Sequence, residues 1–384
     1  SDEKKGMFKV TSTEAKMALD GILPAQELNV CFKKGFISSA TALAKDQIQP
    51  ASLDLRLGRS AWRIQASFLP GMNQTVRDKI EKFAMYPLDL SDGAVLETGC
   101  VYIVELQERL ALPPSLSALA NPKSSTGRLD VFTRLITDGA IEFEAVAAGY
   151  NGPLYAEISP RTFSVKVREG SRLSQLRLRR GQLSLDDAAL ILLQQAHKIV
   201  QFDDQTQISI QDGIGLSVNL TPQTDTELIG WRARKHAGLI DVDLVGGQPA
   251  ARFWEAVTLC DLTKGGLVLN PDEFYILASR EFVTVPPDYA AEMRAYDTRV
   301  GEFRAHYAGF FDPGFGGDAA GALPTRAVLE VRSHDVPFLI EQGQTVCRLV
   351  YEPMAAAPNY LYGAEGSGSN YQSQGLKLAK HFHT

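Results

Sequence analysis

Hydroxyl and cationic side chains are concentrated in one short segment, residues 121–128, which reads Asn-Pro-Lys-Ser-Ser-Thr-Gly-Arg. A serine- and glycine-rich turn offers backbone N–H groups and hydroxyls to phosphate oxygens, and Lys123 and Arg128 add the positive charge that a polyanion requires. A single carboxylate, Glu157, follows in the strand-like run 153–158. Because a carboxylate on a rigid strand can act as a general base, the two segments predict a site that binds an anionic substrate and moves one proton.

Four parts of the sequence resemble one known family. The string Lys-Ser-Ser-Thr-Gly-Arg-Leu, followed by residues 149–153 and by Glu157, resembles the active-site signature of dCTP deaminases, which belong to the dUTPase superfamily. Residues 47–58 resemble the first strand of that family, and residues 170–176 resemble the strand that closes its nucleotide pocket. Residues 362–380 resemble its flexible arm, which folds over the triphosphate.

The resemblance implies a role for each motif. Glu157 takes a proton from water, the hydroxide attacks C4 of cytosine, and the same carboxyl returns protons to N3 and to the departing ammonia. Ser124 holds the attacking water, and Arg128 favours the charge that develops in the transition state. Magnesium is expected on the triphosphate itself, with few or no protein ligands. The implied nucleotide-binding residues are Lys123, Ser125, Tyr150, Gln175, Tyr362, Tyr371, Gln374 and Lys377.

These residues also have purely structural interpretations. Glu157 could be an outward-facing strand glutamate, and the segment from Ser124 to Arg128 could be an ordinary turn. Tyr150 could be an aromatic residue packed on a hairpin, and Gln175 could be a buried hydrogen-bonding residue. The C-terminal tail could be disordered.

The composition argues against several other classes of function. A net charge of −6 and a pI near 5.6 disfavour general binding to nucleic acid or to an anionic membrane, so any phosphate-binding charge must be local. The four cysteines are far apart and form no Cys-x-x-Cys pair, and the zinc signature of the better-known nucleoside deaminases is absent. The sequence therefore predicts deamination without zinc, in a cytoplasmic protein that has no membrane span.

The sequence repeats itself at a constant spacing of 173 residues. Tyr102-Ile103-Val104 recurs as Tyr275-Ile276-Leu277, and Glu157 recurs as Glu330. Ser52-Leu53-Asp54-Leu55 is also echoed, in Ser217-Val218-Asn219-Leu220. Repetition on this scale indicates a tandem duplication, and short alternating runs between turn residues indicate strands. We therefore expect a mainly β fold of two tandem dUTPase-like β-barrel lobes, of a β-clip or jelly-roll-like kind, with a few short helices.

The repeat also suggests where the lobes begin and end. Ser184 is predicted to cap a helix in the connector, and residues 11–35 are predicted to hold a further short helix. The expected organisation is an N-terminal lobe with the complete motif set at 1–182, a partly helical connector at 183–205, a C-terminal lobe with degenerate motifs at 206–356, and a flexible, nucleotide-covering tail at 357–384.

The second copy leaves the identity of the general base open. Ala295 stands where the first copy has Ser124, whereas Arg299 and Glu330 are retained, and residues 308–316 resemble the family's pocket hairpin more closely than residues 137–151 do. The pocket of this superfamily lies between neighbouring barrels, so Ser124 and Arg128 could face Glu157 of a partner chain, or Glu330. The first lobe keeps the complete set, which favours Glu157, with Glu330 as the alternative. A homo-oligomer is expected, in the simplest case a trimer of two-lobed chains.

Three functions follow from these motifs. The leading one is deamination of dCTP to dUTP, because residues 370–374 read Asn-Tyr-Gln-Ser-Gln and not the glycine-rich Phe-Gly-Ser arm of dUTPases. The second is a dUTP diphosphatase, or both activities in one site, because the superfamily shares its fold and its phosphate-binding segments. The third is a non-catalytic nucleotide-binding or scaffold protein, which the degenerate second copy suggests.

Overall fold

A computed structural model gives the fold. It describes residues 19–181, 184–222, 225–294, 303–305 (backbone only), 309–317, 323–333, 335–364 and 376–384. Short strands dominate these residues, and their five α-helices are short. The predicted mainly β fold with two lobes and few helices is confirmed. Across the described ranges, every helix lacks the length and apolar content that crossing a membrane requires.

The N-terminal lobe, residues 19–181, consists of short strands and three helices. Its elements are β1 (Gly21–Ile22), α1 (Ala25–Lys33), β2 (Ile37–Ser39), β3 (Leu53–Leu55), β4 (Leu57–Ile64), α2 (Val76–Phe83), β5 (Ala84–Asp89), β6 (Ala94–Leu96), β7 (Val101–Ala111), β8 (Leu116–Pro122), α3 (Ser124–Gly127), β9 (Val131–Thr137), β10 (Ala145–Val146), β11 (Asn151–Pro160), β12 (Ser164–Val167) and β13 (Ser174–Arg180).

The C-terminal lobe, residues 184–364, and the C-terminal segment, residues 376–384, also consist mainly of short strands. Their elements are α4 (Asp187–His197), β14 (Val200–Gln201), β15 (Ile214–Asn219), β16 (Leu228–Ala233), β17 (Leu239–Asp241), β18 (Gln248–Pro249), α5 (Ala250–Phe253), β19 (Trp254–Thr258), a 3₁₀ turn (Leu259–Asp261), β20 (Gly266–Leu269), β21 (Phe274–Val283), β22 (Tyr289–Arg294), β23 (Phe303–Ala305), β24 (Gly309–Phe311), β25 (Thr325–Ser333), β26 (Phe338–Glu341), β27 (Thr345–Pro353) and β28 (Phe382–His383).

Two sheets build most of the N-terminal lobe. One has the strand order β5-β4-β7-β11-β9 with β2 on β7, and the other has the order β1-β13-β8-β10 with β3 on β13. Alternate side chains of both sheets meet in one hydrophobic core, which includes the fully buried Leu55, Val104, Ala156 and Leu176. The core therefore fixes β8, β11 and β13, the strands next to the predicted site segments.

The strand register of the C-terminal lobe repeats that of the N-terminal lobe. Glu157 on β11 lies opposite Ile103 on β7, and Glu330 on β25 lies opposite Ile276 on β21. The spacing of 173 residues thus connects positions that are equivalent in three dimensions.

The shorter echo of residues 52–55 needs a correction. Leu53 pairs with Leu176 on β13, and Ile214 pairs with Leu349 on β27, where residues 176 and 349 are themselves repeat partners. The counterpart of Leu53 is therefore Ile214 and not Val218. The pattern misled because strand alternation has a period of two, so a shift by four residues preserves the same face.

The connector helix α4 has a different cap from the one predicted. The side chain of Asp186 accepts a hydrogen bond from the N–H of Ala189 at 2.8 Å, whereas Ser184 donates to Glu352 at 3.0 Å. An aspartate caps a helix as well as a serine does, and its charge also suits the helix dipole. Helix α1 is the short helix predicted within residues 11–35.

The C-terminal segment packs at the junction of the two lobes and differs in this respect from the flexible tail predicted for residues 357–384. Strand β28 pairs in parallel with β18. The ring of Phe382 lies 6.4 Å from that of Phe163, 5.5 Å from that of Phe253 and 5.8 Å from that of Trp254. These three ring contacts anchor residues 376–384, because a large apolar area is buried where the rings pack together.

Phe382→Ala should destabilise the protein. Removing a ring from this aromatic cluster leaves a cavity that its neighbours fill only in part, so we expect a loss of about 2 kcal/mol in the free energy of unfolding. Urea unfolding monitored by tryptophan fluorescence measures it. His383→Ala, at the exposed next position, is the control, and equal stabilities for the two variants would contradict the anchoring role.

Candidate active site

The hydroxyl-rich segment forms a single helical turn, α3, between β8 and β9. Strand β8 is held by β13, with Asn121 opposite Gln175, so the turn leaves from a rigid strand end. The N–H of Arg128 donates to the carbonyl of Ser124 at 3.0 Å and fixes these residues one turn apart. Ser124 is exposed, whereas Ser125 and Arg128 are buried. The turn thus directs a hydroxyl to solvent and a guanidinium to the interior.

Glu330 is the buried carboxyl on which the charge of Arg128 acts. It lies on β25 and is 6% exposed. Burial raises the pKa of Glu330 to about 7, and the positive charge of Arg128 partly opposes that rise. Arg128 also donates to the carbonyl of Lys377 at 2.7 Å, which ties it to the C-terminal segment. A carboxyl of this kind can both accept and return a proton near neutral pH.

Glu157 has a different environment. Its Oε1 accepts from Arg134 at 2.6 Å, and its Oε2 accepts from the hydroxyl of Ser67 at 2.6 Å. The guanidinium of Arg134 lies 3.6 Å from the ring centroid of Phe143, which holds it in place. Both oxygens of Glu157 therefore have strong donors from the same lobe, and within this chain Arg128 acts on Glu330.

Sequence reasoning did not select Asp312 or Arg177, which meet at the junction of the lobes. Arg177 on β13 donates to Asp312 at 3.0 Å and to the carbonyl of Ala291 at 2.9 Å. Burial raises the pKa of Asp312, and Arg177 opposes that rise, as does Lys123, whereas Asp54 adds to it. The available signal was the Asp-Pro-Gly turn within residues 308–316, a stretch already recognised as pocket-like.

A polar cavity of about 380 Å³ adjoins α3. Lys123 forms an ion pair with the buried Asp54, and Arg172 lies 3.5 Å from the same carboxylate. Ser125 and Lys380 also line this cavity. Three cations and a hydroxyl among the lining residues are suited to phosphate oxygens, and Asp54 pairs with two of the cations. Asp46 and Asp243 line the same cavity and offset part of its positive charge.

Tyr150 and Gln175 occupy different places. The hydroxyl of Tyr150 donates to the carbonyl of Pro153 at 2.6 Å, and burial raises the pKa of Tyr150 to about 12. It lines a separate cavity of about 590 Å³ in the N-terminal lobe. Gln175 donates to Asn121 at 3.1 Å, two residues before Lys123. Gln175 is thus beside α3, whereas Tyr150 is on the hairpin 137–151.

The predicted tail residues divide into two groups. The ring of Tyr362 packs on Phe315 at 5.7 Å, and Lys377 contributes its carbonyl to Arg128. Burial lowers the pKa of Lys377, and the charge of Arg128 lowers it further.

Tyr371 and Gln374, and in the second copy Ala295 and Arg299, lie outside the described residues. In the part of the chain that the structure describes, His, Cys, Asp and Glu do not form a group of three or more that could hold a metal ion.

Two family models match the chain in succession. The N-terminal domain of 2'-deoxycytidine 5'-triphosphate deaminase matches residues 19–182, and the C-terminal domain of the same protein matches residues 186–382. The chain belongs to the dCTP deaminase family. The junction between the two models of this family falls next to α4.

Several members of the dCTP deaminase family are similar to the chain. A crystal structure of 2'-deoxycytidine 5'-triphosphate deaminase from Agrobacterium tumefaciens is 53% identical, with a TM-score of 0.82, over 88% of this chain and 99% of that chain. A "dCTP deaminase, dUMP-forming" from Methanobrevibacter smithii is 34% identical over 28% of this chain, and a "dCTP deaminase" from Halorubrum lacusprofundi is 31% identical over 34%. The matches span 53% and 62% of those two relatives' own lengths.

Glu330→Gln should become more stable relative to the wild type as the pH rises. The pKa of this carboxyl rises from 4.5 in the unfolded chain to about 7 in the folded protein, so folding favours the protonated form. The wild type therefore loses stability between these two pH values, and the amide does not. We expect the difference in unfolding free energy to change by about 3 kcal/mol across this window.

Urea unfolding of both proteins at a series of pH values measures this difference. Glu97→Gln, at an exposed position, controls for the general effect of losing a carboxylate. A difference between Glu330→Gln and the wild type that stays constant with pH would contradict the raised pKa.

Proposed function

We propose that the protein deaminates dCTP to dUTP and ammonia. The observation that carries this proposal is the buried Glu330, with a pKa of about 7, next to Arg128 of the other lobe. Such a carboxyl can work in both directions of proton transfer, whereas a solvated glutamate is fully ionised at the same pH. Membership of the dCTP deaminase family supplies the substrate class.

In the proposed reaction, Glu330 and not Glu157 is the general base. Glu330 takes a proton from water, and the hydroxide forms a bond to C4 of cytosine. Glu330 passes this proton to N3, then takes the proton of the new C4 hydroxyl and passes it to the exocyclic amine. As the C4=O double bond forms, the C4–N bond breaks and ammonia leaves. Arg128 stabilises the negative charge that develops at this centre, and Ser124 orients the attacking water. The water is split between the two products, so atoms and charges balance without a bound metal.

The choice of Glu330 rests on the surroundings of the two repeated carboxyls. Arg134 and Ser67 each donate to one oxygen of Glu157, so a water there would compete with a short ion pair and a short hydrogen bond for the carboxylate. Within the ranges that the structure describes, no side chain forms an ion pair or hydrogen bond with the carboxyl of Glu330, and the charge of Arg128, from the turn that carries Ser124, acts on it. One chain can therefore supply both halves of the site.

We place the triphosphate along Lys123, Ser125 and the cavity that Arg172 and Lys380 line. Gln175 is close enough to α3 to contact the nucleotide. The nucleotide-covering role of Tyr362, Tyr371, Gln374 and Lys377 stays a prediction. Magnesium travels with the triphosphate and offsets its charge. The assembly of two-lobed chains as a homo-oligomer, in the simplest case a trimer, stays a prediction.

A second candidate is a deaminase that releases dUMP and diphosphate. It is favoured by the relative from Methanobrevibacter smithii, whose name specifies dUMP as the product. Both candidates use the same deamination step, so they differ in whether the bond between the α- and β-phosphates is also hydrolysed.

The product of dCTP turnover decides between these candidates. The purified protein is incubated with dCTP and magnesium, and ammonia and nucleotides are measured together. Ammonia with dUTP is the expected result. Ammonia with dUMP and diphosphate would establish the second candidate, and no turnover of either dCTP or added dUTP would support a non-catalytic nucleotide-binding protein.

Glu330→Gln should lower kcat for dCTP by about 10²- to 10⁴-fold, because an amide cannot take the proton from water. The matched variant Glu157→Gln alters the equivalent position of the other lobe and should leave kcat close to the wild-type value. Steady-state release of ammonia measures both. The reverse order of effects would return the role of general base to Glu157.

A further inference from the structure

One face of strand β25 belongs to the junction between the lobes. Leu329 and Val331 lie in the core of the C-terminal lobe, whereas Val328 lies in the core of the N-terminal lobe. Because side chains alternate along a strand, Glu330 and Arg332 share the face of Val328. Successive residues of this face therefore contact the N-terminal lobe.

Arg332 forms an ion pair with Asp130, and both side chains are buried, at 8% and 0% exposed. Thr162 completes the contact, since its hydroxyl donates to Asp130 at 2.6 Å and accepts from Arg332 at 2.9 Å. We call Asp130, Thr162 and Arg332 the junction triad. It joins α3 and the end of β11 to β25.

Two residues of the junction triad have the same sequence spacing from Arg128 and Glu330, the two residues that the proposed reaction brings together. Asp130 comes two residues after Arg128, and Arg332 comes two residues after Glu330. The N–H of Asp130 donates to the carbonyl of Gly127 at 3.1 Å, so the residue that bonds Arg332 also closes the α3 turn. Its φ of 57° is a left-handed conformation, which aspartate tolerates better than most residues.

We propose that the junction triad is a positioning device that sets the register of β25 against α3 and thereby aims Arg128 at Glu330. A buried ion pair contributes little net stability, because desolvation offsets its Coulomb attraction, but its directed hydrogen bonds specify one geometry. A neighbouring register of β25 would separate the buried guanidinium of Arg332 from Asp130 and Thr162. The effect on reaction rate rests on the proposed deaminase function, whereas the geometric role does not.

Asp130→Asn and Arg332→Met separate positioning from direct electrostatics. If the triad positions Arg128, either variant weakens the action of Arg128 on Glu330 and raises the pKa of Glu330. The ascending limb of the kcat–pH profile then moves up by about one pH unit in both variants, kcat falls about tenfold, and KM for dCTP changes little. If the charges act directly, the limb moves in opposite directions, because one variant removes a negative charge and the other a positive one.

Two further variants control the experiment. Arg179→Met breaks another ion pair between the lobes, a partly buried one with Glu352 at 3.1 Å, and should leave the limb in place. Thr162→Val deletes one hydroxyl and keeps the ion pair, so it should shift the limb in the same direction by a smaller amount, even if the charge variants fail to fold. An unmoved limb in Asp130→Asn, Arg332→Met and Thr162→Val, or shifts of opposite sign, would overturn the proposal.

A measurement without substrate tests the triad independently of turnover. Urea unfolding at a series of pH values gives the difference in unfolding free energy between Glu330→Gln and its parent, in the wild-type and in the Arg332→Met background. The quantity compared is the upper midpoint pH of this difference, which reports the pKa of Glu330 in the folded protein. The expected result is a higher pH in the Arg332→Met background. An unchanged midpoint in a protein that deaminates dCTP would reject the triad alone, whereas a raised midpoint in a protein that does not turn over dCTP would reject the proposed function alone.

Discussion

The burial of Glu330 at the junction of the two lobes is the constraint on which the site depends. A carboxyl removed from water resists ionisation, and a nearby positive charge offsets part of this penalty. That charge belongs to Arg128, which comes from the other lobe on a single helical turn. The balance between desolvation and this cation leaves the pKa of Glu330 near 7. Any change in how the lobes dock therefore changes the chemistry that this carboxyl can perform.

The duplication gives the chain two equivalent carboxyls with different surroundings. Glu157 and Glu330 have the same register in their sheets. Arg134 forms an ion pair with Glu157, and Ser67 donates a hydrogen bond to it, whereas Glu330 lies within the influence of Arg128 from the turn of the opposite lobe. In our proposal the N-terminal lobe supplies Ser124 and Arg128, and the C-terminal lobe supplies the general base, so that neither lobe holds a complete site.

Ion pairs and aromatic contacts across the junction hold the two lobes in one relative position. Arg177 bonds Asp312, Arg332 bonds Asp130, and the ring of Phe382 packs on that of Phe163 in the N-terminal lobe. The carbonyl of Lys377 accepts from Arg128, so the anchored C-terminal segment also contacts the proposed site. The ion pairs among these contacts specify the arrangement of the lobes more than they add stability.

The sequence by itself determined the fold class, the tandem repeat and the segment that carries Ser124 and Arg128, because strand alternation and turn chemistry are local properties that each stretch of chain expresses alone. It also gave two candidates for the general base, Glu157 as the preferred residue and Glu330 as the alternative. Only the tertiary structure distinguished their surroundings, since the residues that act on each carboxyl come from distant parts of the chain. The junction of Arg177 with Asp312 was likewise hidden, because desolvation and electrostatic pairing depend on how the two lobes pack and have no pattern in the linear sequence.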